Sequence, residues 1–231
     1  MSARVLGEST TVEVDALGGS AILVVPVGST EQHGPHLPLS TDSLVAVALV
    51  ERLARVRHDV IAAPLIPIGA SGEHDGFAGT LSVGTTVLTS YCVELVRSSR
   101  GWARGVVFVS GHGGNADAMQ RVGAITAYEG DRVVTYLPSV PGGDAHAGRT
   151  ETSIVLALGG HLVRHNEAVP GITTPLSELD AHLRAGGVRS VSRNGVLGDP
   201  TGASPDEGRM LLETLLDQLR RSVAGAFGEP T

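Results

Sequence analysis

Lysine is absent from these 231 residues, so all seventeen basic side chains are arginine. That excludes mechanisms built on a lysine amine: Schiff-base catalysis, attachment of pyridoxal phosphate and the phosphate-binding lysine of a P-loop. Cysteine occurs once, at Cys92, so neither an intrachain disulfide nor a thiolate zinc cluster can form. Cys92 lies among Val87, Leu88, Val93, Leu95 and Val96 at helical spacing and reads as a core thiol, not a nucleophile. Aromatic residues make up only 3 % of a chain that is 42 % apolar, which leaves a core of Val, Leu, Ile and Ala. An aliphatic core of this kind suits a parallel sheet covered by helices.

Basic runs are also missing, and the formal charge is −7. Nucleic acid and anionic membranes both need a cationic footprint, so neither is expected as a partner. A neutral or cationic small substrate is easier to host. The longest apolar run, residues 21–28, is too short to span a bilayer, and the opening residues hold no apolar signal core. The expectation is a cytoplasmic protein. Neither a Gly-x-Ser-x-Gly elbow nor a His-Glu-x-x-His zinc helix occurs, which removes two common hydrolase frameworks.

What is present alternates. Short β-branched runs at Ala21–Val27 and at residues 60–68, 106–110 and 132–137 read as buried strands. Helix-period stretches separate or follow them at residues 43–57, 85–100, 116–128, 150–158 and 205–223, with Thr41 or Asp42 placed to cap the first. Residues 173–208 carry the turn signals Gly186-Gly187, Asn194-Gly195 and Asp199-Pro200 and read as loop. The pattern predicts an α/β fold, a mostly parallel central sheet flanked by helices, as one domain over residues 1–231. In such sheets ligands bind beyond the carboxyl ends of the strands.

Three polar clusters sit where that rule places a site. After the first strand come Glu31 and His33, two residues apart and so on one face of an extended segment, followed by Asp42 at a helix start. Pro35 and Pro38 between them restrict the unfolded loop, which lowers the entropy lost on fixing the ligands. Carboxylate, imidazole and carboxylate form a borderline-hard set suited to Zn²⁺, Fe²⁺ or Mn²⁺. After the strand at 106–110 comes Gly111-His112-Gly113-Gly114-Asn115, and a helix N-terminus follows directly. The third cluster is Asp144-Ala145-His146-Ala147-Gly148-Arg149-Thr150-Glu151. Each cluster alone is compatible with a solvated loop or a plain cap; together they point to a metal centre.

The run Glu31-Gln32-His33-Gly34-Pro35-His36-Leu37-Pro38 with Thr41-Asp42, then Gly111-His112-Gly113-Gly114-Asn115, then His146-Ala147-Gly148 with Glu151-Thr152-Ser153, closely resembles the creatininase family. Gly72-Glu73-His74 leading to Phe77-Ala78-Gly79-Thr80, and Gly198-Asp199-Pro200, resemble its pattern too, in the same order. The resemblance implies a three-layer α/β/α fold, two divalent ions (Zn²⁺ and/or Fe²⁺, with Mn²⁺ an option), hydrolysis of amide C–N bonds and a closed homo-oligomer. It implies that Glu31 and His112 hold one ion, His33 the other, and that Asp42 bridges them. Creatinine-hydrolysing members have a ligating glutamate where Gly114 stands; here Glu151 is expected to replace it. They also stack creatinine on tryptophans in the loop before His-Ala-Gly, whereas residues 137–145 have none and Trp102 precedes a strand.

Compact length and the third cluster look most like the subgroup that processes the mycofactocin precursor peptide, implying peptide-bond hydrolysis that releases a modified C-terminal Val-Tyr unit. The expected partner is therefore a small modified peptide or a cyclic amide. In such a mechanism His146 would carry a proton to the leaving nitrogen, and N–H groups around Gly113-Gly114 would face the oxyanion. His36 is expected to be substrate-facing or to orient a ligand, and His74 either to reach the site or to be solvated. Rival readings are a hydrolase of another cyclic amide or a formamide, and a non-catalytic metal-binding assembly subunit.

Overall fold

In the computed structural model, which describes residues 3–230, a four-stranded parallel sheet runs through the centre. The elements in chain order are α1 (Thr11–Asp15), β1 (Ala21–Val27), α2 (Thr41–Val56), β2 (Val60–Ala62), α3 (Gly84–Ser99), β3 (Ala103–Ser110), α4 (Ala116–Tyr128), β4 (Val133–Tyr136), α5 (Arg149–Gly159), α6 (Leu176–Val191) and α7 (Pro205–Phe227). The strand order is β2-β1-β3-β4, with Ile22 opposite Val60, Val24 opposite Val107, and Val106 opposite Val133.

Alternation along β1 divides the core into two layers. Ile22 and Val24 pack with Leu49 and Leu53 of α2 and with Leu212, Leu215, Leu219 and Val223 of α7. Ala21, Leu23 and Val25 face the other way, onto Leu88, Cys92 and Val96 of α3 and Met119 and Val122 of α4. Helices thus cover both faces, the three-layer α/β/α arrangement expected. The longest helix, α7, shows how sequence specifies an element. Ser204 accepts the N–H of Glu207, Pro205 opens the first turn, and Gly228 stops the helix at φ +80°. Its leucines recur every three or four residues, and each buried one contributes roughly 1.5–3 kcal/mol.

Several boundaries differ from expectation, for identifiable reasons. The strand expected over residues 60–68 stops at Ala62, because Pro64 and Pro67 cannot donate to a ladder, although Ile66 still bonds the Pro26 carbonyl at 3.0 Å. Helix α2 begins at Thr41, and neither Thr41 nor Asp42 caps it; the Asp42 carboxylate is turned into the interior instead. Residues 176–191, expected as loop, form α6, which absorbs the Gly186-Gly187 pair through a kink at Gly187 (φ +66°). A β-carbon on Gly187 would lie 2.6 Å from the Glu73 carbonyl, so glycine there lets α6 sit against the segment carrying Glu73 and His74.

The order β2-β1-β3-β4 places a topological switch between β1 and β3: from β1 the chain moves to one side, then returns to the other. Such a switch opens a crevice at the carboxyl edge of the sheet. Gly111 closes it from below by donating to the Val27 carbonyl at 2.9 Å.

Candidate metal centre

Every strand delivers polar side chains to this crevice. Beyond β1 come Glu31, His33 and Asp42; beyond β2, Glu73 and His74; beyond β3, His112; beyond β4, His146 and Glu151. All five expected ligands and the expected proton carrier converge there. Glu31, His33, Asp42 and His112 are at most 5 % exposed, and His146 8 %, so only Glu73 and Glu151 open appreciably to solvent.

Three overlapping sets have ligand atoms within 4.8 Å of one another: Glu31, Asp42 and His112; His33, Asp42 and Glu151; and Glu31, His33 and His146. Asp42 belongs to the first two. Its Oδ1 lies 3.2 Å from Nε2 of His33 and its Oδ2 3.3 Å from Nδ1 of His112, so one carboxylate faces both halves of the site. Ser29 donates to Oδ2 at 2.6 Å and fixes the carboxylate plane. Burial opposes ionisation of Asp42, but His33 and His112 outweigh it and hold the carboxyl well below its usual range. Glu151 lies 3.8 Å from Nε2 of His33, and burial pushes its carboxyl up.

The segment that presents His146 and Glu151 is under local constraint. Ala147 adopts φ +52°, a left-handed conformation uncommon outside glycine, and gives its N–H to Glu151 Oε2 at 2.6 Å. Asp144 accepts the N–H groups of Arg149 and Thr150, covering the amino end of α5 that a glycine N-cap leaves open. Helix start, Glu151 orientation and His146 position are therefore set together. Burial, reinforced by His33 and His74, holds His146 neutral.

A metal fits these residues on one observation above others. Both carboxylate oxygens of Glu31 are fully buried, and only imidazole nitrogens, which donate or accept according to tautomer, lie within reach of them. A buried carboxylate without a committed donor is strongly disfavoured unless a cation neutralises it. Nε2 of His112 lies 3.1 Å from one oxygen and Nε2 of His74 3.2 Å from the other, so a ring of imidazoles surrounds the charge.

His74 is thus a buried site residue, which resolves the alternative left by its sequence. Glu73 was visible in the sequence only as part of the family pattern, with no role attached; its Oε1 lies 3.2 Å from Nε2 of His112. Gln32, which the sequence marks only as part of its motif, touches both His74 and His146 through its amide. His36 stays outside the cluster, its Nε2 2.9 Å from Oγ1 of Thr152. Trp102 stands at the amino end of β3, the edge of the sheet opposite the crevice, and packs with the α3–α4 layer.

The profile of the family described as Creatininase: Creatinine amidohydrolase matches residues 7–223. Over 218 residues the chain is 46 % identical to the mycofactocin precursor peptide peptidase of Mycolicibacterium smegmatis, covering 92 % of this chain and 87 % of that protein. The protein of the same name from Mycobacterium tuberculosis is 44 % identical over 235 residues, covering 97 % and 92 % respectively. Among solved structures, one described as creatininase with Mn superposes with a TM-score of 0.79 at 25 % identity, covering 97 % of this chain and 99 % of that one.

Proposed function

The chain belongs to the creatininase family of metal-dependent amidohydrolases, and we propose that it cleaves a peptide bond in a modified precursor peptide of the mycofactocin type, releasing the modified C-terminal Val-Tyr unit. The observation that carries the hydrolytic reading is the fully buried Glu31 carboxylate, approached only by imidazoles, in a centre of four imidazoles and three further acids. Two divalent ions per chain, Zn²⁺ and/or Fe²⁺ with Mn²⁺ as an alternative, match this donor set. Glu31 and His112 would hold one, His33 and Glu151 the other, with Asp42 shared.

When bound, such ions supply Lewis acidity to the scissile carbonyl and make hydroxide available near neutral pH. The protein's own contribution is positional. Ser29 locks Asp42, Ala147 locks Glu151, and the surrounding burial keeps bulk water from the charges. His146 would take a proton from the attacking water at Nδ1 and pass it to the leaving nitrogen, because its Nε2 is engaged by the Gln32 carbonyl at 2.9 Å. Backbone N–H groups of Gly113 and Gly114, in the turn directly after His112, would be the donors to the developing oxyanion.

Substrate class follows from what lines the approach. Residues 137–145 carry no aromatic ring to stack a planar heterocycle, whereas a cavity of about 950 Å³ lies beside the centre. Ala145 and Thr150, the immediate neighbours of His146 and Glu151, line it together with Val140, Ile172, Leu176 and Leu197. None of the expected ligands does. Its volume, at the upper end of ordinary ligand sites, suits the body of a peptide better than a creatinine-sized ring. A cytoplasmic homo-oligomer completes the proposal.

The test is direct: metal analysis of the purified chain, followed by mass spectrometry after incubation with the modified precursor peptide, creatinine and a panel of cyclic amides and formamides. Release of the C-terminal unit is expected. Turnover of a cyclic amide with the peptide intact would replace the substrate; ions retained with no turnover of any would identify an assembly subunit.

A further inference from the structure

Gln32 is 5 % exposed and spends its whole side chain on partners. Its Oε1 accepts the N–H of Gly34 at 2.9 Å. Its Nε2 lies 3.1 Å from the Gly195 carbonyl, 2.8 Å from Nδ1 of His74 and 3.0 Å from Nε2 of His146. The amide cannot be turned over, since an N–H faces one end and a carbonyl the other. A β-carbon on Gly195 (φ +80°) would also collide with this amide, so the turn at Asn194-Gly195 is shaped to receive it.

Two amide hydrogens face three candidate acceptors, and elimination distributes them. Nε2 of His146 lies 2.9 Å from the main-chain carbonyl of Gln32. A carbonyl only accepts, so that nitrogen carries a proton and cannot accept from the amide. The two hydrogens therefore go to Gly195 and to Nδ1 of His74. A neutral imidazole that accepts at Nδ1 carries its proton at Nε2, and Nε2 of His74 points at Glu31 Oε1, 3.2 Å away. Conversely, His146 is left with a bare Nδ1, 3.9 Å from the same oxygen.

We propose that Gln32 is the positioning residue that sets the proton pattern of the centre: its side chain makes His74 a donor to Glu31, while its main chain makes His146 Nδ1 a lone pair facing inward. The same Nε2–H tautomer on two rings with centroids 4.5 Å apart is thereby fixed by one residue, and it turns a proton towards Glu31 from His74 but a lone pair inward from His146. His74 orients a ligand carboxylate and does not itself take up a proton from substrate. The reverse pattern would set a lone pair against Glu31 and leave His146 without an inward acceptor. The tautomers follow from the hydrogen bonds alone; only their consequence for metal affinity rests on the function proposed above.

Long-range ¹H–¹⁵N correlation spectra of the zinc-loaded full chain, labelled with ¹⁵N-histidine, decide the matter. The His74 and His146 signals are identified by their loss in His74→Gln and His146→Gln. Protonated Nε2 and bare Nδ1 are expected for His74, and protonated Nε2 for His146. In Gln32→Glu, where a carboxylate cannot donate, a proton should appear on His74 Nδ1 while His146 stays unchanged. Zinc affinity, read by chelator competition, should fall about tenfold or more, as for other losses behind a metal ligand. A wild-type spectrum with the His74 proton on Nδ1, or a Gln32→Glu spectrum unchanged at His74, overturns the inference. The wild-type spectrum alone suffices if Gln32→Glu does not fold. The expected tautomers in a chain that leaves the peptide intact would uphold the inference and sink the proposed substrate.

Discussion

The carboxylate of Glu73 occupies the space that a β-carbon on Gly114 would need, and its Oε1 lies 3.2 Å from Nε2 of His112. A side chain at position 114 and this placement of Glu73 are mutually exclusive. The carboxylate that borders His112 is thus delivered from the loop beyond β2.

Gly114→Ala should therefore displace both Glu73 and the His112 ring, lowering metal affinity and kcat/KM by about tenfold or more. Gly113→Ala is the matched control, because a β-carbon there meets open space. The pair is read by metal content after dialysis and by peptide cleavage. Equal behaviour of the two variants would show that Glu73 has no bearing on the centre.

Asp42 stands in two of the three candidate ligand sets, whereas Glu151 and His112 each stand in one. Asp42→Ala should lose both ions together, leaving less than about one-tenth of the wild-type metal. Glu151→Ala should lose mainly one. Circular dichroism checks that α2 survives, as Asp42 does not cap it. Full metal content in Asp42→Ala would remove the shared role.

How much of this was legible beforehand depended on whether a signal was local. Residues of β1 and α7 announce themselves through period and caps, and the first motif places Glu31, His33 and Asp42 within a dozen residues. His112 and His146 could be placed because each follows a strand. Glu73 and His74 could not be assigned: they sit on a single 3₁₀ turn in an irregular stretch, and what makes them site residues is contact with Gly114, Glu31 and α6, all distant in sequence. Helix α6 was hidden by Gly186-Gly187, since a glycine pair signals a turn unless packing demands a kink. Gln32 is not legible in the sequence, because an amide inside a motif of obvious ligands carries no signature of its own.

A surface network predicts the acid limb of stability. Glu129, just past α4, is held by Arg97 and Arg100 of the α3 end, and these hydrogen bonds lower its carboxyl from an ordinary 4.5 to about 2. A depressed folded-state value means a stabilisation fully present above about pH 4.5 and lost as pH falls towards 2. Urea midpoints of wild type and Glu129→Gln should differ at pH 6 and converge at pH 2 to 3. Parallel curves over that span would assign the acid limb to other carboxylates.

His33 makes the opposite case inside the centre. Burial opposes its charge, yet Asp42, Glu151 and Glu31 together raise its imidazole from 6.5 to about 9 in the metal-free chain. A raised folded-state value gives the metal-free protein stability that is complete below about pH 6.5 and lost as pH rises through 9. Metal must displace that proton, so binding runs the other way: apparent zinc affinity should climb from pH 7 to 9, roughly tenfold per pH unit for each proton displaced. Calorimetry in buffers of different ionisation enthalpy should count at least about one proton released at pH 7. The metal-free melting temperature should fall over the same interval. If no proton is released and the affinity is flat, His33 is not where the metal binds, since a ligand imidazole that is protonated beforehand cannot coordinate without giving its proton up.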